Sequence, residues 1–225
     1  MKTSSIKRIT DLVAENKCKF ISLKYLGNDG ALQQLDIPSS QLLLEEEFKN
    51  NYSEFEVLDQ HVFLDPFRSL PTLTAFCYHH SSSVAKLRDL QDLEGAVADI
   101  SFWVMEHHAE GYVAKKNQVD PFDIYSNFRA DIALILEQIG IKVISHYHGK
   151  TRGELIIKIS SKGLLKLADD VVVTRFIINN CSISYNLKIT LTKKEETNLF
   201  IRCDVNGVKK LQVDSCLSLY QKVVS

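Results

Sequence analysis

The sequence predicts an α+β protein in which β-hairpins are combined with amphipathic helices. Two hairpin patterns support this: alternating runs flank Gly27-Asn28-Asp29-Gly30, and two apolar runs flank Asn206-Gly207, the strongest short hairpin signal. A long apolar stripe at helical spacing, 124–139, is the third observation. The 225 residues fit one large domain or two modest ones, without internal repeats.

The first third of the chain has clear local patterns. Ser4 or Ser5 is expected to cap a short amphipathic helix, and 44–51 is predicted to be a helical turn or loop. Polar turn formers at 79–83 indicate a boundary. The strands predicted in this part are 19–26, 31–37, 62–64 and 72–78.

The clearest helix is predicted to begin at Asp120, with Pro121 at the first helical position and Asp123 at the third. Gly140 is expected to end it. The segment 164–184 fits a strand by propensity and a helix by spacing, and its length favours a helix. The other predicted elements are a short helix at 84–93 and strands at 96–105, 141–148, 154–160, 199–205 and 208–213.

Composition excludes several classes of function. Lys plus Arg is 27 and Asp plus Glu is 28, so the formal net charge of −1 argues against a nucleic-acid partner. No apolar window is long enough to span a membrane, and the N-terminus lacks a signal-peptide core, so we expect no membrane partner and a cytoplasmic location. Five cysteines without a CxxC pair favour reduced thiols.

Three histidine clusters are candidates for metal binding: His79-His80, His107-His108 and His146-Tyr147-His148. The last is the most natural one, because positions i and i+2 of a strand face the same way. No third ligand stands at a recognisable spacing, so structural or surface histidines are favoured over a zinc site. A Cys–His nucleophilic pair has no local signature either.

Two stretches resemble the glutamine synthetase family. One is LDPFRSLPTL at 64–73, and the other runs from VDP at 119–121 through LILEQIGIKV to the HYH run at 146–148. After the N-terminal helix, which apolar spacing places at 1–16, the resemblance implies a β-grasp domain at 17–83. It implies a truncated glutamine synthetase catalytic-type domain, an antiparallel sheet with helices, at 84–225. The LADD segment at 167–170 resembles the start of a long family helix, which favours a helix at 164–184.

The resemblance also implies where metal ligands would stand, and those positions are degenerate. Family members hold divalent metals with carboxylates on adjacent strands. The metals neutralise the negative charge that gathers when a phosphoryl group is transferred to the substrate carboxylate. Here the matching positions carry other groups, and only one retains a carboxylate. We therefore expect no catalytic residue, no metal site and no cofactor. The matching positions are Asp99, Ser101, Gly149, Ile156 and Arg202.

These departures predict a catalytically inactive relative, a pseudoenzyme of nitrogen metabolism. It would act as a homo-oligomer or by co-assembly with a full-length glutamine synthetase. One alternative is a reduced ATP-dependent ligase joining glutamate to ammonia or an amine, which would need Mg or Mn and ATP. That enzyme would use a residual polar site of Asp99, Glu154, His146 and His148. The other alternative is a small-metabolite sensor.

Overall fold

The structure, a computed structural model, describes residues 3–27, 31–43, 45–79, 96–105, 123–149, 153–191 and 201–205. The chain divides into two compact units, and the described residues up to 79 lie in the first while those from 96 onward lie in the second. The α+β class is confirmed. The predicted boundary at 83/84, the helix at 84–93 and the Asn206-Gly207 hairpin lie outside the described residues.

In its described residues, the first unit is a four-stranded mixed sheet with two α-helices. Its strands lie in the order β2-β1-β4-β3, with β1 parallel to β4 and the other neighbours antiparallel. The predicted first hairpin is thus confirmed as β1 and β2, while the assignment of this unit to the β-grasp class stays a prediction. The elements are α1 (Thr3–Glu15), β1 (Phe20–Leu26), β2 (Leu32–Pro38), a 3-10 turn (Ser39–Leu43), α2 (Glu45–Asn51), β3 (Phe55–Leu64) and β4 (Thr72–His79).

Helix α1 buries one apolar side in the core of the first unit. Ile6 and Ile9 are almost completely buried, as their helical spacing predicts. The predicted cap at Ser4 or Ser5 is wrong, because α1 already includes Thr3. Ser5 is buried inside the first turn, so packing rather than capping accounts for its position.

The LDPF stretch forms a turn that is fixed by buried hydrogen bonds. Asp65 accepts hydrogen bonds from the backbone N–H of Phe67 at 3.0 Å and from Thr74 Oγ1 at 2.7 Å. Its carboxylate also lies 3.9 Å from Nζ of the buried Lys24, which donates to Gln34 Oε1 at 2.8 Å. Burial lowers the pKa of Lys24, and the negative charge of Asp65 opposes this. These contacts give Asp65 a structural role in this stretch.

The described part of the second unit is an antiparallel sheet that packs against two helices. Strand β5 is central: it pairs with β7 on one side and with β8 and β9 on the other, while β6, beyond β7, is the last strand of the sheet among the described residues. The elements are β5 (Ala96–Val104), α3 (Ser126–Gln138), β6 (Lys142–His148), β7 (Glu154–Ser161), α4 (Leu164–Ser184), β8 (Ile189–Thr190) and β9 (Ile201–Val205).

Helix α4 confirms the prediction that 164–184 is helical. Several of its apolar side chains are buried, among them Val173 and Ile177. This explains why a β-branched sequence forms a helix here, since tertiary packing outweighs strand propensity. No helix among the described residues has both the length and the apolar character needed to cross a bilayer.

Helix α3 begins later than predicted. Asp120 and Pro121 lie outside the described residues, but 123–125 precede the helix, whose N-cap is Tyr125. The predicted start at Asp120 is therefore wrong, because Asp123 is used in a buried ion pair instead of a helical first turn. The predicted end is confirmed: Gly140 has a φ of 86°, a conformation that suits glycine.

Much of the apolar stripe of α3 is buried inside the second unit. Phe128, Ile132 and Leu136 are buried, and Phe128 makes an edge contact with Phe102 of β5. Ile124 precedes the helix and is 52% exposed. The buried part of the stripe therefore packs within the second unit.

A bulge interrupts β6. Val143 is opposite Ile159 of β7, but the next pair is Ser145 with Lys158, so Ile144 is an extra residue on β6. From this point onward the bulge determines which side of the sheet each β6 side chain occupies.

Candidate functional site

The strand register of the second unit gives β5 two different faces. Ala98, Ile100 and Phe102 are completely buried. The alternating residues Asp99, Ser101 and Trp103 lie on the other face, as predicted. This second face, called here the ligand-position face, is half-buried, and it carries the positions that the family resemblance assigns to metal ligands.

Four of the five assigned positions come together in two neighbouring rows of the sheet. Ser101 of β5 is directly opposite Ile156 of β7. In the next row, Asp99 is opposite Arg202 of β9 on one side and opposite Lys158 of β7 on the other. Directly opposite residues of an antiparallel pair share a face, so Asp99, Ser101, Ile156 and Lys158 stand on the ligand-position face, and the backbone of Arg202 lies beside them in register.

Lys158 is a charged residue of the ligand-position face that the sequence patterns did not single out. Its Nζ lies 3.5 Å from Asp99 Oδ1, and both side chains are partly exposed. The ion pair means that the last carboxylate at the assigned positions already has a cation from the chain itself. The strand pattern placed Lys158 on the same face as Ile156, but its pairing with Asp99 needed the β5–β7 register.

The fifth position, Gly149, is filled by a neighbour. Its backbone N–H donates to the carbonyl of Glu154 at 2.7 Å across the β6–β7 connection. A Cβ built on Gly149 would overlap Cγ and Cδ of Glu154. The side chain of Glu154 therefore occupies the space into which a residue at position 149 would project.

A divalent metal does not fit this arrangement. Hard cations need several oxygen ligands, while Ile156 offers none and Lys158 brings a positive charge. In the part of the chain that the structure describes, no three His, Cys, Asp or Glu side chains are grouped so that they could hold a metal ion. The chemistry that a metal would supply, neutralising the charge of phosphoryl transfer, has no support from these residues.

The predicted residual polar site is divided between the two faces. Because of the β6 bulge, His146 is opposite Ile157 and His148 is opposite Leu155, on the helix side of the sheet. Asp99 and Glu154 lie on the ligand-position face, opposite Lys158 and Trp103. These two carboxylates are four residues apart along the strands, roughly 13 Å. The structure thus does not bring the four residues together.

A buried ion cluster occupies the helix side instead. Arg129 of α3 donates to both carboxylate oxygens of Asp123, from Nη1 to Oδ1 at 3.0 Å and from Nη2 to Oδ2. His148 Nε2 lies 2.7 Å from the same Oδ1. Arg129 and His148 are 3% and 2% exposed. Local patterns do not indicate this cluster, because Asp123 fits a helix start and no motif singles out Arg129.

Two pKa shifts follow from this packing. Burial raises the pKa of Asp123, but the hydrogen bonds and charge of Arg129, together with His148, hold that pKa below its ordinary value. Burial, followed by the positive charge of Arg129, lowers the pKa of His146, and Asp123 only partly opposes this. Asp123 is therefore a carboxylate and His146 is neutral near pH 7.

The fold and the ligand-position face define an α+β catalytic-type domain whose ligand positions have been altered. Residues 54–199 match the profile of the family described as "Glutamine synthetase, catalytic domain". The match covers more than half of the chain, and the protein belongs to this glutamine synthetase family. The resemblance of the two sequence stretches is thereby confirmed.

Curated relatives are distant. A 3-hydroxylaminophenol mutase of Cupriavidus pinatubonensis is 22% identical over 84% of this chain and 55% of its own length. A glutamine synthetase of Vibrio alginolyticus is 20% identical over the same shares, 84% and 55%. The glutamine synthetase of Methanocaldococcus jannaschii is 32% identical, but over only 34% of this chain. The chain thus spans about half the length of the first two relatives.

Solved structures show the same fold. A glutamine synthetase of Plasmodium falciparum, determined by cryo-EM, superposes with a TM-score of 0.68 at 12% identity, covering 90% of this chain and 54% of its own. A structure of GmaS without ligand gives a TM-score of 0.64 at 10% identity, covering 90% and 58%. At these identities the similarity establishes the fold and leaves the chemistry to the site.

Proposed function

We propose that this chain is a catalytically inactive member of the glutamine synthetase family that acts through assembly. It would form a homo-oligomer or join a full-length glutamine synthetase and modulate it. The observation that carries the proposal is the pair of changes in neighbouring rows: Lys158 stands against Asp99, and Ile156 stands beside Ser101.

Electrostatics supports the loss of catalysis. Transfer of a phosphoryl group to a carboxylate brings several negative charges together, and bound metals neutralise them. Here a lysine neutralises the one retained carboxylate. Unlike a metal ion, the lysine ammonium has no coordination positions for the phosphate oxygens of a nucleotide. A cytoplasmic site of action, which the reduced-thiol pattern favours, is part of the same proposal.

The retained fold supports a role in assembly. The chain keeps the family architecture over nearly its whole length although its assigned ligand positions have changed. Large apolar side chains also remain on the surface of the second unit, with Leu134 58% exposed and Ile183 76% exposed. Contact with another chain would bury such side chains and stabilise the complex.

Calorimetric titration with Mn²⁺ and ATP tests the inactivity. We expect no binding heat up to millimolar ligand, because the described residues of the ligand-position face offer no set of oxygen ligands. The variant Asp99→Asn, which removes the last assigned carboxylate, should behave identically. Binding by the wild-type chain that Asp99→Asn abolishes would contradict the proposal. In the same preparation, a strict monomer that ignores full-length glutamine synthetase in a co-purification assay would contradict the assembly role.

A second candidate is the reduced ATP-dependent ligase, and the position of Glu154 favours it. Its side chain fills the space of the residue at position 149, so it brings a carboxylate to one lost ligand position. ADP release with glutamate plus ammonium or methylamine distinguishes the candidates. Activity that is lost in Glu154→Gln, but kept in the exposed first-unit control Glu46→Gln, would establish the enzyme; the leading proposal expects no ADP in any of the three proteins.

A further inference from the structure

Strand β2 exposes one edge of the first-unit sheet. It pairs with β1 on one side, and no strand among the described residues pairs with its other side. The five residues from Leu32 to Asp36 are all exposed, whereas Ile37 is buried. An exposed strand edge presents unpaired N–H and C=O groups, which another strand can bind.

The register of the hairpin shows which backbone groups point outward. The N–H of residue 27 donates to the carbonyl of residue 31 at 2.9 Å, and the N–H of residue 39 donates to the carbonyl of residue 19 at 3.0 Å. Between these two hydrogen-bonded pairs the register runs without a shift. Since hydrogen-bonded and non-hydrogen-bonded pairs alternate in an antiparallel ladder, residues 33, 35 and 37 bond to β1. The backbone groups that point away from β1 are those of Leu32, Gln34 and Asp36.

This edge lacks most of the features that prevent strands from associating. Lysines, prolines and bulges are the usual protection, and β2 contains neither a lysine nor a bulge. Its single charged side chain, Asp36, is neutralised by Arg68 at 2.6 Å. Pro38, which lacks an N–H, is the last residue of the strand. The edge is therefore accessible to a second strand up to Pro38.

We propose that β2 pairs with β2 of a second copy of this chain, antiparallel across a two-fold axis at Leu35. The two first-unit sheets then join into one continuous sheet. Leu35 is 37% exposed, and its backbone groups are directed towards β1. It therefore forms a non-hydrogen-bonded pair with its own counterpart, in which the Cα atoms are about 4.5 Å apart and the side chains lie close together. Each leucine covers the other.

The side chains of β2 complement a second copy in this register. Gln34 is opposite Asp36 of the partner subunit, so an amide that already donates to Asp36 within the chain at 3.0 Å meets a second carboxylate of the same kind. No like charges are directly opposed. A register centred on Gln34 instead would put Leu35 against a glutamine and Asp36 against Leu32. The formal net charge of −1 adds little repulsion between two copies.

This inference deepens the proposed function and rests on its homo-oligomeric form. Analytical ultracentrifugation of the full chain should show a dimer that dissociates on dilution. Leu35→Lys should weaken the dimer at least about tenfold, because it removes the leucine contact and opposes two positive charges. The matched control is Leu64→Lys, at an exposed leucine on β3 at the other end of the sheet, which should leave the dimer unchanged.

A mixture of Leu35→Lys and Leu35→Glu should form the dimer again, because the axis places the two substituted side chains opposite each other. The far-ultraviolet circular dichroism of each variant shows beforehand that it folds. Failure of the folded variants to dimerise when mixed, or equal weakening by Leu64→Lys, would overturn the pairing.

Residue-resolved hydrogen exchange of the wild-type chain needs no substitution. Protection of the Gln34 and Asp36 amides should rise with protein concentration, whereas the Leu35 amide, which bonds to β1, should be protected throughout. Constant exchange of Gln34 and Asp36 across the range in which the dimer forms would contradict the proposal.

Failure of this pairing can be told apart from failure of the assembly role. A dimer that Leu35→Lys leaves intact would overturn this surface but not homo-oligomer formation. A wild-type monomer that co-purifies with full-length glutamine synthetase would overturn the pairing alone, and a monomer that ignores the synthetase would contradict both.

Discussion

Replacing Arg129 with methionine is expected to lower the free energy of unfolding of the second unit by about 3–5 kcal/mol. The guanidinium is buried and makes two hydrogen bonds to Asp123, so its removal leaves a buried carboxylate with His148 as the remaining partner. Urea denaturation followed by the fluorescence of Trp103, the single tryptophan of the chain, measures this unit directly.

The double variant Asp123→Leu/Arg129→Met is the matched control. Replacing a buried ion pair by apolar side chains of similar size is often neutral or stabilising, so most of the lost stability should return. If the double variant were as unstable as Arg129→Met alone, the loss would come from packing of the arginine stem and not from the orphaned charge. That outcome would contradict the electrostatic account of the cluster.

The second large effect is expected for Leu136→Ala in α3, with a loss of about 2–5 kcal/mol. Leu136 is completely buried, so the substitution removes apolar contacts and leaves a cavity in the core of the second unit. The same helix supplies a control of identical chemistry, because Leu134 is 58% exposed. Leu134→Ala should change stability by no more than about 0.5 kcal/mol.

The two leucine variants can be compared by the same urea titration with Trp103 as the reporter. Similar losses in both would mean that Leu134 is covered by another chain in solution, which would support assembly. A negligible loss in Leu136→Ala would contradict the packing of α3 described here. Measuring both variants at low and high protein concentration separates these outcomes, because assembly depends on concentration.

Local patterns predicted the elements of this chain well where packing agrees with them. The hairpin of β1 and β2, the alternation of Asp99, Ser101 and Trp103, and the glycine that ends α3 all follow from short-range rules. The start of α3 did not, because Asp123 satisfies its charge with Arg129 and His148 and not with helix N–H groups. Capping rules cannot anticipate such a tertiary partner.

The candidate site was predictable in composition but not in arrangement. The sequence itself shows which assigned positions lack carboxylates, and strand alternation predicts that Ile156 shares a face with Glu154 and Lys158. The ion pair of Lys158 with Asp99 depends on inter-strand register, which no local pattern encodes. His146 and His148 lie on the opposite side of the sheet from Asp99 because of the register shift at Ile144 in β6.

The bulge at Ile144 decides which side of the sheet the two histidines of β6 occupy. If Ile144 were paired with Lys158 instead, the ladder would run on from Val143 without a shift, and His146 would stand opposite Ile156, beside Ser101. A one-residue slip of the end of β6 along β7 would therefore move nitrogen ligands to the altered face without any substitution, whereas deletion of Ile144 would leave His146 opposite Ile157.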